Sequence, residues 1–292
     1  MTPPGFYAGR RVVLATMHSK EQAIAPAFQE HLRVSLTVSP GLDTDRLGTF
    51  TGEVQRAGTM LDAAVAKAHA GMELMASPLA LASEGSFGPH PLIPFVAGGM
   101  ELMVFVDREL GIAVHETMVS RTTNFAHCVV SPDGSDTPDG AVDRFLDRVG
   151  FPAHGVIVRP NVGDINIAMA KGVQDPAHAH RCIALAASAS TDGRARIETD
   201  MRAHMNPTRM AELGPLAERL ARRLATICPS CSAPGWGGVD VITGLPCEEC
   251  GTFTDLVAAE VHGCAACDHR AEVGRHDGLR HATAAQCPEC NP

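Results

Sequence analysis

The sequence lacks any apolar run approaching the roughly 18 residues that a membrane-spanning helix needs, although 45% of its 292 residues are hydrophobic. Its first residues, MTPPGFYAGRR, have no apolar segment behind their charges and do not resemble a secretory signal. The composition therefore predicts one large core with a small appendage. It also predicts a cytoplasmic protein with no membrane partner.

Positive charge is scarce as well, and lysine is the scarcest cation. The formal net charge is −9, and only three of the 24 basic residues are lysines, Lys20, Lys67 and Lys171. An acidic chain does not attract nucleic acid non-specifically, so a nucleic-acid partner is disfavoured. Because arginine is the ordinary surface cation here, the lysines can mark sites that need a compact point charge, as phosphate sites do. Codon bias explains the same count equally well.

Residues 1–227 alternate strand-like and helix-like segments, which is typical of an α/β domain with a mixed central sheet flanked by helices. The predicted strands cover residues 11–17, 33–40, 79–83, 101–106, 112–119, 155–161, 166–172 and 194–204. The predicted helices cover residues 60–75, 141–149 and 178–190. Asn206-Pro207 predicts a further helix start, and Gly214-Pro215 predicts a break between two final helices.

Residues 228–292 form a second unit, because they contain eight of the ten cysteines as four CxxC pairs. The pairs are Cys228/Cys231, Cys247/Cys250, Cys264/Cys267 and Cys287/Cys290. Each CxxC presents two thiolates to one ion, and two pairs complete a tetrahedral zinc site. The block therefore predicts two structural Zn²⁺ ions in a small C-terminal double zinc ribbon, with metal binding stabilising its fold. A disulfide framework is disfavoured because nothing in the sequence indicates export.

Two pairings of the four CxxC knuckles are open. Sequential pairing joins the first knuckle to the second and the third to the fourth, whereas nested pairing joins the two middle and the two outer knuckles. The gaps between the knuckles are 15, 13 and 19 residues, and sequential pairing is favoured over nested pairing. The ribbons are expected to pack on the main domain, mediate assembly or close over a site, and an oligomer is compatible with that.

Polar residues collect where predicted strands end, and ligands of α/β sheets bind at strand ends. The segment after the first strand carries four candidate phosphate-binding residues, Thr16, His18, Ser19 and Lys20. Asp62 and Lys67 are the charges of an otherwise small and apolar helical stretch, 58–68. A solvated helical turn and ordinary surface charge explain these residues too.

Glu84 stands between an apolar strand and the glycine-rich stretch GSFG, which predicts a turn that a ligand can approach closely. A carboxylate there is a candidate metal ligand, although it also fits a simple turn cap. The acidic segment 40–54 is a second candidate for contact with a metal or a base. Asp200, Arg202 and His204 would share one face of a strand, with Asn206 and Arg209 just beyond, and such a row can read a nucleobase edge.

Together these segments resemble the inosine triphosphate pyrophosphatase superfamily, which includes the Maf-like and inosine/xanthosine triphosphatase branches. Thr16, His18 and Lys20 lie near the family pattern T/SxNxxK, with His18 in place of Asn and Lys20 one position early. The pattern TFxENAxxKA corresponds to Thr59, Asp62, Ala64, Lys67 and Ala68, with Asp62 in place of Glu and Ala63 in place of Asn. Glu84-Gly85-Ser86 corresponds to the acidic turn, and Arg202 and His204 correspond loosely to the base-reading SHR segment. The whole chain also resembles a bacterial family that joins such a domain to C-terminal zinc ribbons.

The resemblance implies metal-dependent hydrolysis of a nucleoside triphosphate with release of pyrophosphate. It implies that Glu84, with Asp62, binds Mg²⁺, while Lys20 and Lys67 hold phosphate oxygens. The implied substrate-binding residues are Thr16, His18, Ser19, Arg202, His204 and Arg209. Two alternatives are a nucleotide-binding sensor that passes occupancy to a partner through the ribbons, and a zinc-ribbon protein of nucleic-acid processing that uses the arginine-rich helix 216–225.

Overall fold

The structure is a computed structural model that describes residues 5–42, 58–131, 140–164 and 169–292. Its helices are α1 (Glu21–Leu32), α2 (Met60–Met75), α3 (Ala141–Val149), α4 (Pro176–Ala189) and α5 (Pro207–Ala225). Its strands are β1 (Arg11–Ala15), β2 (Ser35–Val38), β3 (Leu79–His90), β4 (Ile93–Asp107), β5 (Ile112–Ser120), β6 (His127–Val130), β7 (Val156–Pro160), β8 (Ala170–Val173), β9 (Ala195–Thr199), β10 (Gly237–Thr243), β11 (Val257–Gly263) and β12 (Arg270–Gly274).

The first sheet is mixed and has the order β2-β1-β3-β4-β5, with β1 parallel to both neighbours and β3, β4 and β5 antiparallel. Alternate side chains of each strand face opposite sides of a sheet. Val12 and Leu14 accordingly join the core beneath α1 and α5, while Val13 and Ala15 join the core beneath α2. The prediction of an α/β fold with a mixed sheet between helices is confirmed at this level.

β3 continues well past the point where β1 ends. β1 pairs with β3 only as far as Ala15 opposite Ala82, whereas β3 pairs with β4 through Gly88 opposite Gly98 and reverses only around residues 90–93. The turn predicted directly after Ser83 is therefore wrong, since pairing with β4 extends the strand. Glu84 lies inside a long strand, just beyond the carboxyl end of β1.

A second sheet, of order β6-β9-β7-β8, is antiparallel and packs on α3 and α4. β9 ends at Thr199, because Asp200 accepts hydrogen bonds from the backbone and side chain of Arg202 and a 3-10 turn follows at Ala203–Met205. The prediction that Asp200, Arg202 and His204 project together from a strand is therefore wrong.

Two helices contain an internal proline, Pro26 in α1 and Pro215 in α5. The break predicted at Gly214-Pro215 is wrong, because α5 runs unbroken through it. A stripe of buried leucines, which includes Leu213, Leu216 and Leu220, packs α5 against α1 and the first sheet. This packing offsets the hydrogen bond that proline removes.

The cysteine-rich unit has one small antiparallel sheet of order β10-β11-β12. Arg223 of α5 joins it to the first sheet, since its guanidinium donates to the carbonyls of Gly235 (3.2 Å) and His115 (3.0 Å). In the part of the chain that the structure describes, no helix has both the length and the apolar character required to cross a bilayer.

Candidate functional site

Lys20 lies where the chain leaves the carboxyl end of β1 and enters α1. Its side chain is only 6% exposed, and its Nζ donates to the hydroxyl of Ser83 (3.0 Å) and towards the Ser83 carbonyl (3.4 Å). Ser83 is the first residue of β3 beyond its pairing with β1. The amine of Lys20 therefore occupies the edge that β3 exposes where β1 stops.

Lys67 and Glu84 form a buried ion pair on the α2 side of the sheet. Glu84 is 4% exposed, and it faces α2 because Ala80 and Ala82, two and four residues before it, belong to the core on that side. Lys67 lies on the buried face of α2. The structure thus brings together Lys67 and Glu84, two of the four residues predicted as catalytic.

Arg209 and Glu101 form a second buried ion pair, on the opposite side of the sheet. Arg209 Nε and Nη2 donate to the two carboxylate oxygens of Glu101 (2.5 and 3.2 Å), and Nη1 donates to the Met201 carbonyl (2.5 Å). Asn206 caps α5 by accepting from the Arg209 amide (2.9 Å), which fixes the start of the helix. This cap is the one that Asn206-Pro207 predicts.

Glu101 was not among the predicted site residues. It pairs in register with Gly85, and a Cβ on Gly85 would lie 2.5 Å from Arg209 Nη2 and 2.8 Å from both Glu101 carboxylate oxygens. A glycine inside a strand often marks such a close approach. Two sequence features could have indicated Glu101 as a site residue. They are the glycine at position 85 and the isolated acid at the start of the apolar run ELMVFV.

The charged residues of both ion pairs affect the pKa of the Lys20 amine. Burial, together with the positive charges of Arg209 and Lys67, lowers its pKa to about 7, while the carboxylates of Glu101 and Glu84 oppose this shift. Charged groups from both sides of the sheet thus act on one buried amine. Such an amine can change its charge near neutral pH.

His18 and His204 stack at the edge of this cluster, with ring centroids 4.8 Å apart and planes 22° from parallel. Burial and then the charge of Lys20 lower the pKa of His18 to about 3, and burial also lowers the pKa of His204. Arg202 is paired with the fully buried Asp200. Both imidazoles are therefore neutral beside a group of cations.

Asp62 does not direct its carboxylate to this cluster, as a metal ligand would. It is exposed, and its carboxylate accepts from the amide (2.8 Å) and the hydroxyl (2.7 Å) of Thr59, which completes a capping box at the start of α2. Its predicted role as a second metal ligand is corrected to a helix cap. The acidic segment 40–54 lies outside the described residues from position 43 onward.

No preformed cation site surrounds Glu84 among the described residues. The groups of three or more metal-ligand side chains found there are two clusters of four cysteines and the group Glu30, His31 and Glu218.

The arginines of α5 that predicted a basic strip are paired with acids, Arg219 and Arg223 with Glu116 and Arg222 with Glu218.

The eight C-terminal cysteines gather into two sets of four, Cys228/Cys231/Cys264/Cys267 and Cys247/Cys250/Cys287/Cys290. Their Sγ atoms approach to 3.6–3.9 Å, and the edge of a tetrahedron with metal–sulfur bonds of about 2.3 Å is about 3.8 Å. The cysteines are free thiols, not disulfides. Two groups of four cysteines that could each hold a metal ion are thus confirmed, but the first knuckle joins the third and the second joins the fourth.

Both the sequential and the nested pairing are therefore wrong, and the sheet explains why. Gly237 at the start of β10 lies opposite Gly263 at the end of β11, which brings the first knuckle beside the third. At the other end of the sheet, Cys247 bridges to Ala282 and so brings the second knuckle beside the fourth. The two sites lie at opposite ends of one small sheet.

Residues 67–292 match the model of a family described as "Domain of unknown function (DUF6671)", and the chain belongs to this family. The matched region contains Lys67, Glu84, Glu101, Arg209 and all eight knuckle cysteines, and it begins after Lys20. A search of curated proteins finds no match to the chain.

Proposed function

We propose that the chain is a metal-dependent nucleoside triphosphate pyrophosphatase or a related nucleotide hydrolase. The observation that supports this best is the buried amine of Lys20 at the carboxyl end of β1, which is bonded to Ser83 and whose pKa is affected by the charges of both the Lys67–Glu84 and the Arg209–Glu101 pair. Ligands of α/β sheets bind at this end of the strands. The resemblance in residues 11–86 supports the same reaction.

The cluster is suited to an anion. Lys20, Lys67 and Arg209 supply three cations against the carboxylates of Glu84 and Glu101, and each of these five residues is at most 9% exposed. A phosphate chain would accept hydrogen bonds from Lys20 and from a Lys67 that turns away from Glu84. Donors held in such a dry site stabilise negative charge more strongly than they do in water.

The residues fit a magnesium ion that arrives with the nucleotide. Mg²⁺ commonly takes one or two carboxylates together with substrate phosphates and water, and Glu84 is the carboxylate available once Lys67 moves. When bound, the ion would neutralise phosphate charge and orient the attacking water. Lys20 would hold a phosphate oxygen when protonated and would accept a proton when neutral.

The remaining substrate contacts follow from the resemblance. Thr16, His18 and Ser19 lie between β1 and α1, just before Lys20 in the chain, and would hold the phosphate chain with the backbone amides before α1. His204 and Arg202 would contact the base, beside the neutral ring of His18. Arg209 would act through Glu101 and through its charge on Lys20.

We assign Zn²⁺ to both four-cysteine sites, because tetrahedral thiolate sites select it. Eight reduced thiolates fit a cytoplasmic location. The ions would be structural, since four protein ligands leave no open position for a substrate.

A nucleotide sensor that does not hydrolyse its ligand is the second candidate. It is favoured by the pairing of both buried carboxylates with cations, Glu84 with Lys67 and Glu101 with Arg209. In such a site both buried carboxylates are already neutralised by a cation, so neither is ready for a metal. The cysteine-rich unit, joined to α5 through Arg223, would then report occupancy to a partner.

The test is pyrophosphate release from a panel of nucleoside triphosphates with Mg²⁺. Glu84→Gln should lower the rate on the order of 10²–10³-fold while the fold is retained, and Glu73→Gln, on the exposed side of α2, should not. Full activity in Glu84→Gln would remove the site assignment. Tight binding without turnover in the wild type would favour the sensor.

A further inference from the structure

A cavity of about 400 Å³ lies at the carboxyl ends of β1 and β2, and its lining includes Ser19 and Glu21, the neighbours of Lys20 in the chain. The segment after β1 and the start of α1 form one wall, and the residues that follow β2 form the other. Thr16, Glu21 and Ser39 supply side-chain oxygens to these walls. The volume lies within the range of small-molecule sites.

Two side-chain oxygens in the walls are buried and have no hydrogen-bond partner among the described residues. They are Oε2 of Glu21 and Oγ of Ser39. Ser39 is 3% exposed. Buried polar atoms nearly always have a partner, and leaving one without it is unfavourable. Both residues line the cavity, and neither atom has a role in the phosphate cluster. We therefore take the two atoms as evidence for a ligand in the cavity.

The chemistry of the two atoms identifies the kind of group that fits. A carboxylate oxygen only accepts hydrogen bonds, and a serine hydroxyl donates one and accepts others. A ligand with adjacent hydroxyl groups satisfies both atoms. A divalent cation fits less well, because the described residues place one carboxylate in the walls, and Glu21 belongs to none of the groups of three or more metal-ligand side chains.

We propose that this cavity binds the vicinal hydroxyls of a ribose, with Glu21 and Ser39 as the residues that recognise them. The inference rests on the proposed nucleotide function and extends it to the sugar. Glu21 directly follows Lys20, so a sugar in the cavity lies beside a phosphate chain held by the lysine. The protein then prefers ribonucleotides over deoxyribonucleotides.

Calorimetric titration of the full-length, metal-loaded protein tests this. The probes are ribonucleoside triphosphates, their 2′-deoxy counterparts, inorganic tripolyphosphate and unphosphorylated ribonucleosides. Hydrogen bonds to a charged group favour the ribose form about tenfold or more in the wild type. Glu21→Gln and Ser39→Ala should each bring that ratio close to one and leave tripolyphosphate affinity unchanged. Glu30→Gln, on the exposed side of the same helix, should keep the wild-type ratio.

The outcomes separate this inference from the proposed function. Ribonucleoside binding that Glu21→Gln removes would support the cavity even in a protein that binds no tripolyphosphate. Equal wild-type affinity for ribose and deoxyribose forms would overturn the inference while leaving the hydrolase intact. Equal loss of affinity for tripolyphosphate in Glu21→Gln would overturn it too, as would binding of Mg²⁺ alone that this substitution removes.

Discussion

Arg209 reaches Glu101 across the bare backbone of Gly85. The guanidinium donates to both carboxylate oxygens, at 2.5 and 3.2 Å, and the absence of a side chain on Gly85 leaves the room that this pair occupies. The ion pair thereby joins the start of α5 to the interior of β4, and both of its side chains are buried. This arrangement fixes the position of the Arg209 charge, which lowers the pKa of Lys20.

We expect Gly85→Ala to destabilise the protein by about 1–3 kcal/mol, the usual cost of crowding a packed interior. The new Cβ would stand 2.5 Å from Arg209 Nη2, so the ion pair must shift. Gly88→Ala is the matched control in the same strand, because nothing lies within 4 Å of a Cβ there. Urea unfolding measures both variants, and equal stabilities would contradict the close approach.

Lys20→Met should stabilise the protein at neutral pH. The pKa of Lys20 falls from 10.5 to about 7 on folding, so the unfolded chain binds more protons between these values and stability rises with pH across them. The destabilising contribution is therefore complete below pH 7 and fades towards pH 10.5.

Unfolding at several pH values tests this, with a gain on the order of 1–3 kcal/mol expected at pH 7. The gain should shrink steadily as the pH approaches about 10. Lys171→Met replaces an exposed lysine and should show no such trend. A pH-independent gain in Lys20→Met would mean that packing rather than charge is responsible.

Asp62→Ala should lower the unfolding temperature slightly through loss of the capping box. It should leave pyrophosphate release unchanged, because the carboxylate is exposed and bonded to Thr59. Thermal unfolding and the pyrophosphate assay on one preparation check both expectations. A loss of activity as large as that of Glu84→Gln would return Asp62 to the site.

The crossed knuckles predict a specific metal count. The double variant Cys228→Ser/Cys264→Ser damages one site only, so the purified protein should retain one metal ion of two. Under sequential or nested pairing the same variant would damage both sites. Elemental analysis distinguishes these cases, and Cys228→Ser/Cys247→Ser, which damages both crossed sites, provides the comparison with no metal retained.

Trp236 reports on the first of these sites. It is the single tryptophan of the chain, and its ring stacks on His269 at 5.1 Å, while the His269 carbonyl accepts from the amide of Cys264. Loss of metal in Cys264→Ser should shift its fluorescence, and Cys287→Ser should shift it much less. Equal shifts would show that the two ends of the small sheet are not independent.

Local sequence signals predicted the elements whose structure depends on near neighbours. The helical spacing of residues 60–75 gave the bounds of α2, and Asn206-Pro207 gave the start of α5. The pattern of Thr59 and Asp62 also matches a capping box. That pattern predicts a helix cap for Asp62 rather than a metal ligand.

Features that depend on distant partners were not predictable in the same way. The length of β3 is set by its pairing with β4, so Glu84 could be placed near Lys67 but not inside a strand. The continuity of α5 through Pro215 depends on packing with α1. The pairing of the knuckles depends on which ends of β10 and β11 meet, and loop lengths alone do not specify that.

The interleaved knuckles also determine how the C-terminal unit would respond to a cut backbone. A single cleavage within residues 251–263 leaves two cysteine pairs on each fragment, and each metal ion takes one pair from either side. The nicked protein would stay in one piece while loaded and come apart only when a chelator is added. Two bound metal ions would therefore join the two halves of this unit reversibly.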